Sequence, residues 1–367
     1  MRISEPYTLF PRTLKSGKVV YYYQFRDDSK RRSAAKSTGC TTLSSARRFC
    51  QKLYNSGAFE TQSTINFENF SKDFFSKDND FYKWKKVNNS AITDNTILRY
   101  NGLLKYQLLP YFAKTKITEI TRANVKEWII WASDKWAAKT VNNAQTVLNL
   151  ILKSAVEKDI IKFNPADNIG FRKTEKLDRN TYTIQELNLF YHSKWKIEYL
   201  RKAFLLCAIT GMRINEITCL TKDDIKGNYI LVSHNYHPQL GMGRTTKGKQ
   251  SRIVPIPSDF MFPDKEGFIF GDKKGKPFNS GRLRDKLKAL CEKYGIDYDK
   301  RHLNTHSLRG FYNSYLKSKN IPESKIKAVI GHKDNSVNDL YTYWKPDMFS
   351  DIHEVQNELY KEIVCQE

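Results

Sequence analysis

The sequence predicts a multidomain, mainly α-helical protein: a small β-sheet-plus-helix domain first, a helical domain next, and a mixed α+β domain after it. Three observations lead there. The chain has 367 residues, more than the roughly 100–200 of one ordinary domain. Hydrophobic residues make up 40% and aromatic residues 13%, enough to build packed cores and to exclude wholesale disorder. The apolar residues also change character along the chain, from a β-branched and aromatic run, to helical spacing, to helices mixed with short strands.

Residues 1–58 carry the first expected domain. Val19-Val20-Tyr21-Tyr22-Tyr23-Gln24-Phe25 has strand composition, Asp27-Asp28-Ser29-Lys30 is a polar turn, and residues 31–38 are the expected return strand, broken by Gly39. Thr42-Leu43-Ser44-Ser45 has the make-up of a helix start. Residues 65–170 read as helical throughout. Phe67, Phe70, Phe74 and Phe75 fall at helical spacing, as do Leu98, Leu103, Leu104, Leu108 and Leu109. Thr118 to Val125 reads as a turn feeding a capped helix, Thr140-Val141-Asn142-Asn143 precedes an apolar run from Val147 to Leu152, and Asn164-Pro165 closes the unit. Residues 171–181 are polar and charged, with little periodicity, and are expected to be an interdomain linker. Residues 182–350 mix helices with short strands at 229–233 and 253–256. In the tail, residues 351–367, Ile352, Val355, Leu359 and Ile363 lie at helical spacing. No internal repeat is visible.

Charge narrows the function. The chain has 62 Lys and Arg against 39 Asp and Glu, a formal charge of +23. Such a surface repels itself unless a polyanion offsets it, and nucleic acid comes first because each neutralised phosphate releases a counterion. An anionic membrane is second, but the basic residues are spread along folded-looking segments and form no single polybasic tail. Through residue 60 alone there are twelve Lys and Arg against four Asp and Glu, and a small basic sheet can lay one face into a DNA groove. The cysteines Cys40, Cys50, Cys207, Cys219, Cys291 and Cys365 have no CxxC spacing and no nearby histidine pair, so reduced thiols and no metal site are expected. No apolar stretch approaches the roughly 20 residues of a membrane span and the start lacks an apolar leader, so a cytoplasmic protein is expected.

Four pieces of sequence carry chemistry. Thr210-Gly211-Met212-Arg213-Ile214-Asn215-Glu216 follows an apolar helix, with Gly211 allowing close approach and Glu216 three residues past Arg213, able to orient it. Thr245 to Pro257 reads as a β-hairpin with a basic tip, holding Lys247, Lys249 and Arg252. His306-Ser307-Leu308-Arg309 sets His and Arg on one helical face. Ile330-Gly331-His332 is followed nine residues later by Tyr341, with Tyr343 close by. Cutting a DNA strand without water or metal requires a nucleophile, fixed cations on the non-bridging oxygens, an acid for the leaving 5′-oxygen and a base for the nucleophile's proton. Arginine suits the second task, because its planar fork binds two phosphate oxygens and stays charged.

These four pieces, in this order, resemble the boxes of the tyrosine recombinase, or phage-integrase, family. The resemblance covers roughly 182–350. The helical segment resembles the family's core-binding domain, and residues 1–58 resemble the arm-type DNA-binding domain of mobile-element integrases. It implies that Arg213 and Arg309 clamp the phosphate and that Lys247 is the acid for the 5′-oxygen, with Lys249 as the alternative. It further implies that His306 is the acid/base histidine, that His332 hydrogen-bonds the scissile phosphate, and that Tyr341 is the nucleophile forming a 3′-phosphotyrosyl bond, with Tyr343 as the alternative. Glu216 resembles a supporting residue. The family residue before Gly331 is commonly Leu, where this chain has Ile330; Gly310 also stands where many relatives carry a bulkier residue.

The expected activity is strand exchange by an integrase of a mobile element, on double-stranded DNA with core and arm sites. The expected assembly is a homo-tetramer, joined by an accessory excision or DNA-bending protein, with no membrane and no cofactor. The tail helix either packs on its own domain or docks on a neighbouring subunit. The competing readings are a type IB topoisomerase, which the arm-like module argues against, and a non-catalytic DNA-binding protein, which the complete set of six residues argues against. A metal-dependent nuclease is disfavoured because no carboxylates group for two-metal chemistry.

Overall fold

A computed structural model describes residues 7–25, 32, 35–55, 65–174, 180–244, 251–272, 275–332 and 344–365. By its internal contacts the chain divides into two units, Met1–Glu175 and Lys176–Glu367.

The first unit begins with a three-stranded antiparallel sheet ordered β1-β2-β3. Strand β1 (Tyr7–Thr13) pairs with β2 (Val19–Phe25) from Tyr7 opposite Phe25 to Thr13 opposite Val19. β1 lacks the dense aromatic and β-branched run of its partner and is held as a strand by the pairing itself. The return strand is short: β3 (Lys36–Ser37) sits opposite Tyr22 and Tyr23, while the turn at Asp27–Lys30 lies outside the described residues. Helix α1 (Leu43–Asn55) starts where Thr42 Oγ1 accepts the Ser45 N–H at 3.4 Å, and its buried Cys50 packs on Tyr7 and Phe25.

The helical part of this unit comprises α2 (Phe67–Ser71), α3 (Asp80–Val87), α4 (Asp94–Leu103), α5 (Leu109–Phe112), α6 (Arg122–Ser133) and α7 (Ala138–Glu157). The phenylalanines at 67–75 do not share one helix. α2 ends at Ser71, Asp73 adopts a positive φ of 54°, and Phe74 and Phe75 enter the core from a turn. Leu104–Leu108 forms a π turn just before Pro110, whose missing N–H cannot continue the α ladder. The Gln107 carbonyl in that turn accepts from the Nε1–H of fully buried Trp128. Thr121 caps α6 with a reciprocal bond from Asn124. Thr140 to Asn143 and the apolar run that follows it both lie inside α7. Asn142 is kept there by a tertiary role, its side chain exchanging two hydrogen bonds with the Arg172 backbone at 2.9 and 3.0 Å.

The second unit contains α8 (Ile184–His192), α9 (Glu198–Thr210), the single turn α10 (Ile214–Ile217), then strands β4 (Ile225–Lys226), β5 (Tyr229–Val232), β6 (His234–His237), β7 (Gly241–Arg244) and β8 (Arg252–Pro255). Helices α11 (Gly281–Lys293), α12 (Thr305–Ser318), α13 (Glu323–Ile330) and α14 (Ser350–Val364) complete it. One large core runs through it, with Phe204, Leu287, Leu308, Ile326 and Leu359 among its fully buried members.

Of the segment read as a hairpin, Thr245 to Pro257, the structure describes residues 251–257. β8 pairs antiparallel with β5, Arg252 opposite Val232, and a separate β6–β7 hairpin intervenes. The register follows burial: Val254 is fully buried beside Ile230. Residues 245–250, with Lys247 and Lys249, lie outside the described residues.

The tail helix packs on its own unit. Ile352, Leu359 and Ile363 of α14 are completely buried, and Asn188 of α8 donates to the carbonyls of Glu362, Ile363 and Cys365. Buried Gln356 donates to the Ile209 carbonyl at 3.1 Å and to the Tyr312 hydroxyl at 2.8 Å.

Candidate active site

The site is built on helix ends. α9 stops at Gly211, whose φ of +61° ends the helix in the left-handed region that suits glycine. A Cβ there would lie 2.5 Å from the Tyr312 ring, so glycine is needed both for its conformation and for the approach of α12. The chain then leaves extended through Met212 and enters α10 with Arg213 as its cap residue. α13 ends in the same way, at Gly331 with φ +66°; a Cβ there would meet Arg252 Cδ at 2.9 Å.

Three arginines meet at the C-terminal end of α13, and each takes a different carbonyl. Arg252 Nε donates to Val329 O at 2.8 Å, Arg309 Nη2 donates to Ile330 O, and Arg213 Nη2 reaches Gly331 O at 3.4 Å. The partial negative charge of a helix C-terminus suits cations there. Arg309 is 3% exposed and also donates through Nη1 to Gly211 O at 2.8 Å, while its buried Nε has no partner among the described residues. Burial first, then the neighbouring Arg213 and Arg252 charges, push its pKa down to about 9, against an opposing pull from Glu216. The negative charge of a phosphate would offset the neighbouring cations and favour the charged guanidinium.

Glu216 is 1% exposed and serves two guanidiniums. Its Oε1 accepts from Arg213 Nη1 and Arg252 Nη1, both at 3.0 Å; its Oε2 accepts from the Arg213 backbone N–H at 2.9 Å and Arg252 Nη2 at 2.6 Å. Burial alone would raise its pKa, but the hydrogen bond and charge of Arg252, followed by Arg213, hold the carboxyl below its ordinary range. Arg252 is nearly enclosed, whereas 38% of the Arg213 side chain is exposed.

That exposed part of Arg213 lines a pocket of about 180 Å³ together with Met212, Asn215, Asn235, His306 and Arg309. Asn304 caps α12, its Oδ1 accepting the His306 N–H at 2.7 Å, so the His306 ring is presented from the first turn while Arg309 points inward one turn later. His332 follows the Gly331 turn and is exposed, its N–H bonded to Lys327 O at 3.0 Å. Partial desolvation first, then Arg309, Arg213, His306 and Lys327, lower its pKa, which favours a neutral imidazole able to donate or accept a hydrogen bond. Arg213, His306 and Arg309 are thus brought together on one pocket, and His332 stands on the turn that two of the pocket's walls grip. Lys247 and Tyr341 lie outside the described residues, as does Tyr343. Among the described residues no cluster of His, Cys, Asp and Glu could hold a metal ion.

Residues 181–346 match the phage integrase family, and residues 80–131 match the phage integrase N-terminal SAM-like domain; together these span more than half of the chain. The chain belongs to the phage integrase family. Over 94% of its length it is 23% identical to the prophage ps2 probable integrase of Lactococcus lactis, covering 98% of that protein. Over 69% of its length it is 25% identical to the tyrosine recombinase XerD of Rickettsia prowazekii, covering 88% of it. Its fold is similar to that of a lambda integrase tetramer bound to a Holliday junction, with a TM-score of 0.56 at 14% identity, covering 95% of this chain and 100% of that one. It is also similar to the Tn1549 transposon integrase in complex with circular intermediate DNA, with a TM-score of 0.55 at 17% identity over 75% and 97% of the two chains.

Two residues of the family-type site escape motif reading. Asn235 reaches the pocket from β6, and no local pattern marks it. Arg252 was legible only as a basic residue on a strand. The signal that places it is alternation: Arg252 and Val254 are two apart on β8, so they share the inward face.

Proposed function

We propose that the chain is a site-specific DNA recombinase of a mobile element, an integrase that cleaves and rejoins strands through a 3′-phosphotyrosyl intermediate. The observation that carries this reading is the meeting of Arg213, Arg309 and His306 on one pocket beside the Gly331–His332 turn. Two guanidiniums fixed by carbonyls and a carboxylate are preorganised for the non-bridging oxygens of a phosphodiester. They need little reorganisation when the transition state gathers charge.

In this mechanism the Tyr341 oxygen attacks the scissile phosphorus and its proton passes to His306. The bond to the 5′-oxygen breaks, and Lys247 protonates that oxygen as it leaves. His332 hydrogen-bonds a non-bridging oxygen. Phosphodiester energy is kept in the phosphotyrosyl bond, so a 5′-hydroxyl from a second duplex reverses the step and completes the exchange without nucleotide hydrolysis. Residues 65–170 hold the core site and the basic sheet of residues 1–58 holds arm sites, with 171–181 as the linker between clamp halves. Four copies act on two duplexes in the cytoplasm, with an accessory bending or excision protein setting direction. The relatives' names and the DNA-bound state of the fold neighbours support the DNA partner and the four-copy assembly.

The test uses covalent capture. Wild type and Tyr341→Phe are expressed beside the element's DNA, lysed in SDS with EDTA, and protein-linked DNA is sequenced. DNA joined at a 3′ end, enriched at one locus in wild type alone, is the expected result. Equal recovery from both moves the nucleophile to Tyr343. Recovery from neither refutes strand transfer and leaves a DNA-binding protein.

A further inference from the structure

Three guanidiniums stand at the C-terminal end of α13 in this site, but the reaction needs only two of them on the phosphate. Arg252 is the third. At 9% exposure it lies behind the pocket and does not line it. All three of its nitrogens donate: Nη1 and Nη2 form a fork on Glu216, and Nε holds Val329 O. An arginine this buried, behind the pocket wall, touches no substrate. Its influence has to pass through what it holds.

What it holds is both oxygens of Glu216. The geometry of a carboxylate and a guanidinium favours a two-bond fork. Glu216 lies three residues from Arg213, close enough to take the Arg213 side chain as such a fork, yet the Arg213 side chain donates only one bond to it, Nη1 to Oε1 at 3.0 Å. The other Glu216 oxygen is filled by Arg252 Nη2 at 2.6 Å and by the Arg213 backbone N–H. The remaining edge of Arg213 stays turned to the pocket, 38% of that side chain being exposed. The same Arg252 stacks under Gly331, where an added Cβ would sit 2.9 Å from its Cδ, and so sets the height of the turn leading to His332.

We propose that Arg252 is a positioning residue for strand transfer: by saturating Glu216 it keeps the outer edge of Arg213 for the scissile phosphate, and through Val329 and Gly331 it fixes the turn that carries His332. The inference rests on the recombinase reading above. Without Arg252, Glu216 closes on Arg213 as a fork, neutralises it and draws it inward. The clamp then loses charge where the transition state gains it, while the bulk of the DNA-contacting surface is untouched.

A substrate that lacks the phosphate charge separates this role from a purely structural one. The probe is a nicked duplex containing the core site recovered by covalent capture, made with either an ordinary scissile phosphodiester or a methylphosphonate, in which a methyl group replaces one non-bridging oxygen and removes the charge. Single-turnover formation of the covalent complex is followed for wild type and Arg252→Gln. On the phosphodiester, Arg252→Gln is expected to lose about 100-fold in rate, the range for removing one transition-state donor. On the methylphosphonate the loss is expected to be less than about 10-fold, because less charge is left for the clamp to neutralise. Equal losses on the two substrates overturn the proposal and leave Arg252 a structural ion pair, and so does an unchanged rate on the phosphodiester. If Arg252→Gln melts early, Arg252→Lys keeps a charge against Glu216 without the fork, and the same ratio of losses decides. Failure of wild type to form any covalent complex refutes strand transfer itself, a result that is visible before any variant is compared.

Discussion

Replacing Gly211 by alanine strikes the fold and the site through one methyl group. The residue has φ +61°, where an alanine is disfavoured by roughly 1–2 kcal/mol. The new Cβ would lie 2.5 Å from Tyr312 Cδ1, well inside contact distance. Tyr312 cannot swing away: it is completely buried and its hydroxyl accepts from Gln356 at 2.8 Å. Overpacking of this sort costs about 1–3 kcal/mol, so the total is on the order of 2–5 kcal/mol, set against a native stability of roughly 5–15 kcal/mol. For a unit of this size the melting transition should fall by about 5–15 °C. Calorimetry of the full chain, following the transition of the second unit, reads it directly. The Gly211 carbonyl also holds Arg309, so covalent-complex formation should fall further than the folded fraction does. A stability loss under about 1 kcal/mol would show that the ring yields freely, and the claim that glycine is required for close approach would fail.

Other perturbations follow from the same network. Arg309→Lys keeps a charge but cannot span Gly211 O and Ile330 O together; cleavage in the capture assay should drop by about 10²–10³ while affinity for duplex DNA stays near wild type. Glu216→Leu leaves Arg252 buried beside no carboxylate and should destabilise by about 3–5 kcal/mol in urea, and a Glu216→Leu/Arg252→Met double variant should lose less than the sum of the two singles. For His332, desolvation and the surrounding cations hold the folded pKa below the ordinary 6.5. The unfolded chain therefore binds its proton first as pH falls, so this contribution to stability is intact above 6.5 and is lost as pH falls through the folded value. Urea midpoints between about pH 5 and pH 7.5 should accordingly fall less steeply for His332→Gln than for wild type.

The parts of the molecule legible in sequence were those dictated locally. Thr118 to Val125 reads as a turn feeding a capped helix, and Thr121 caps α6; Gly211 follows an apolar helix and permits close approach, and it ends α9 against Tyr312. The His306-to-Arg309 spacing fixes a helical face without reference to the rest of the chain. What the sequence leaves hidden lies where a distant partner decides. Nothing local shows that the Asn142 side chain, inside α7, bonds the Arg172 backbone thirty residues on. The pairing of β8 with β5, across the intervening β6–β7 hairpin, has no local mark in the segment before Pro255. Arg252 looks like one more surface cation, because nothing local shows that a buried glutamate thirty-six residues earlier is waiting for it.

The docking of α14 has a consequence for subunit exchange. To lend this helix to a neighbour, the chain must first uncover Ile352, Leu359 and Ile363, all completely buried. At roughly 1.5–3 kcal/mol for each such side chain, the detached state lies some 5–9 kcal/mol above the docked one, before the Gln356 and Asn188 hydrogen bonds are counted. This burial opposes release of the helix from the free protomer. A swapped assembly would have to regain all of this at the neighbour's surface, so any reciprocal exchange would occur only where DNA already holds the protomers side by side at high local concentration.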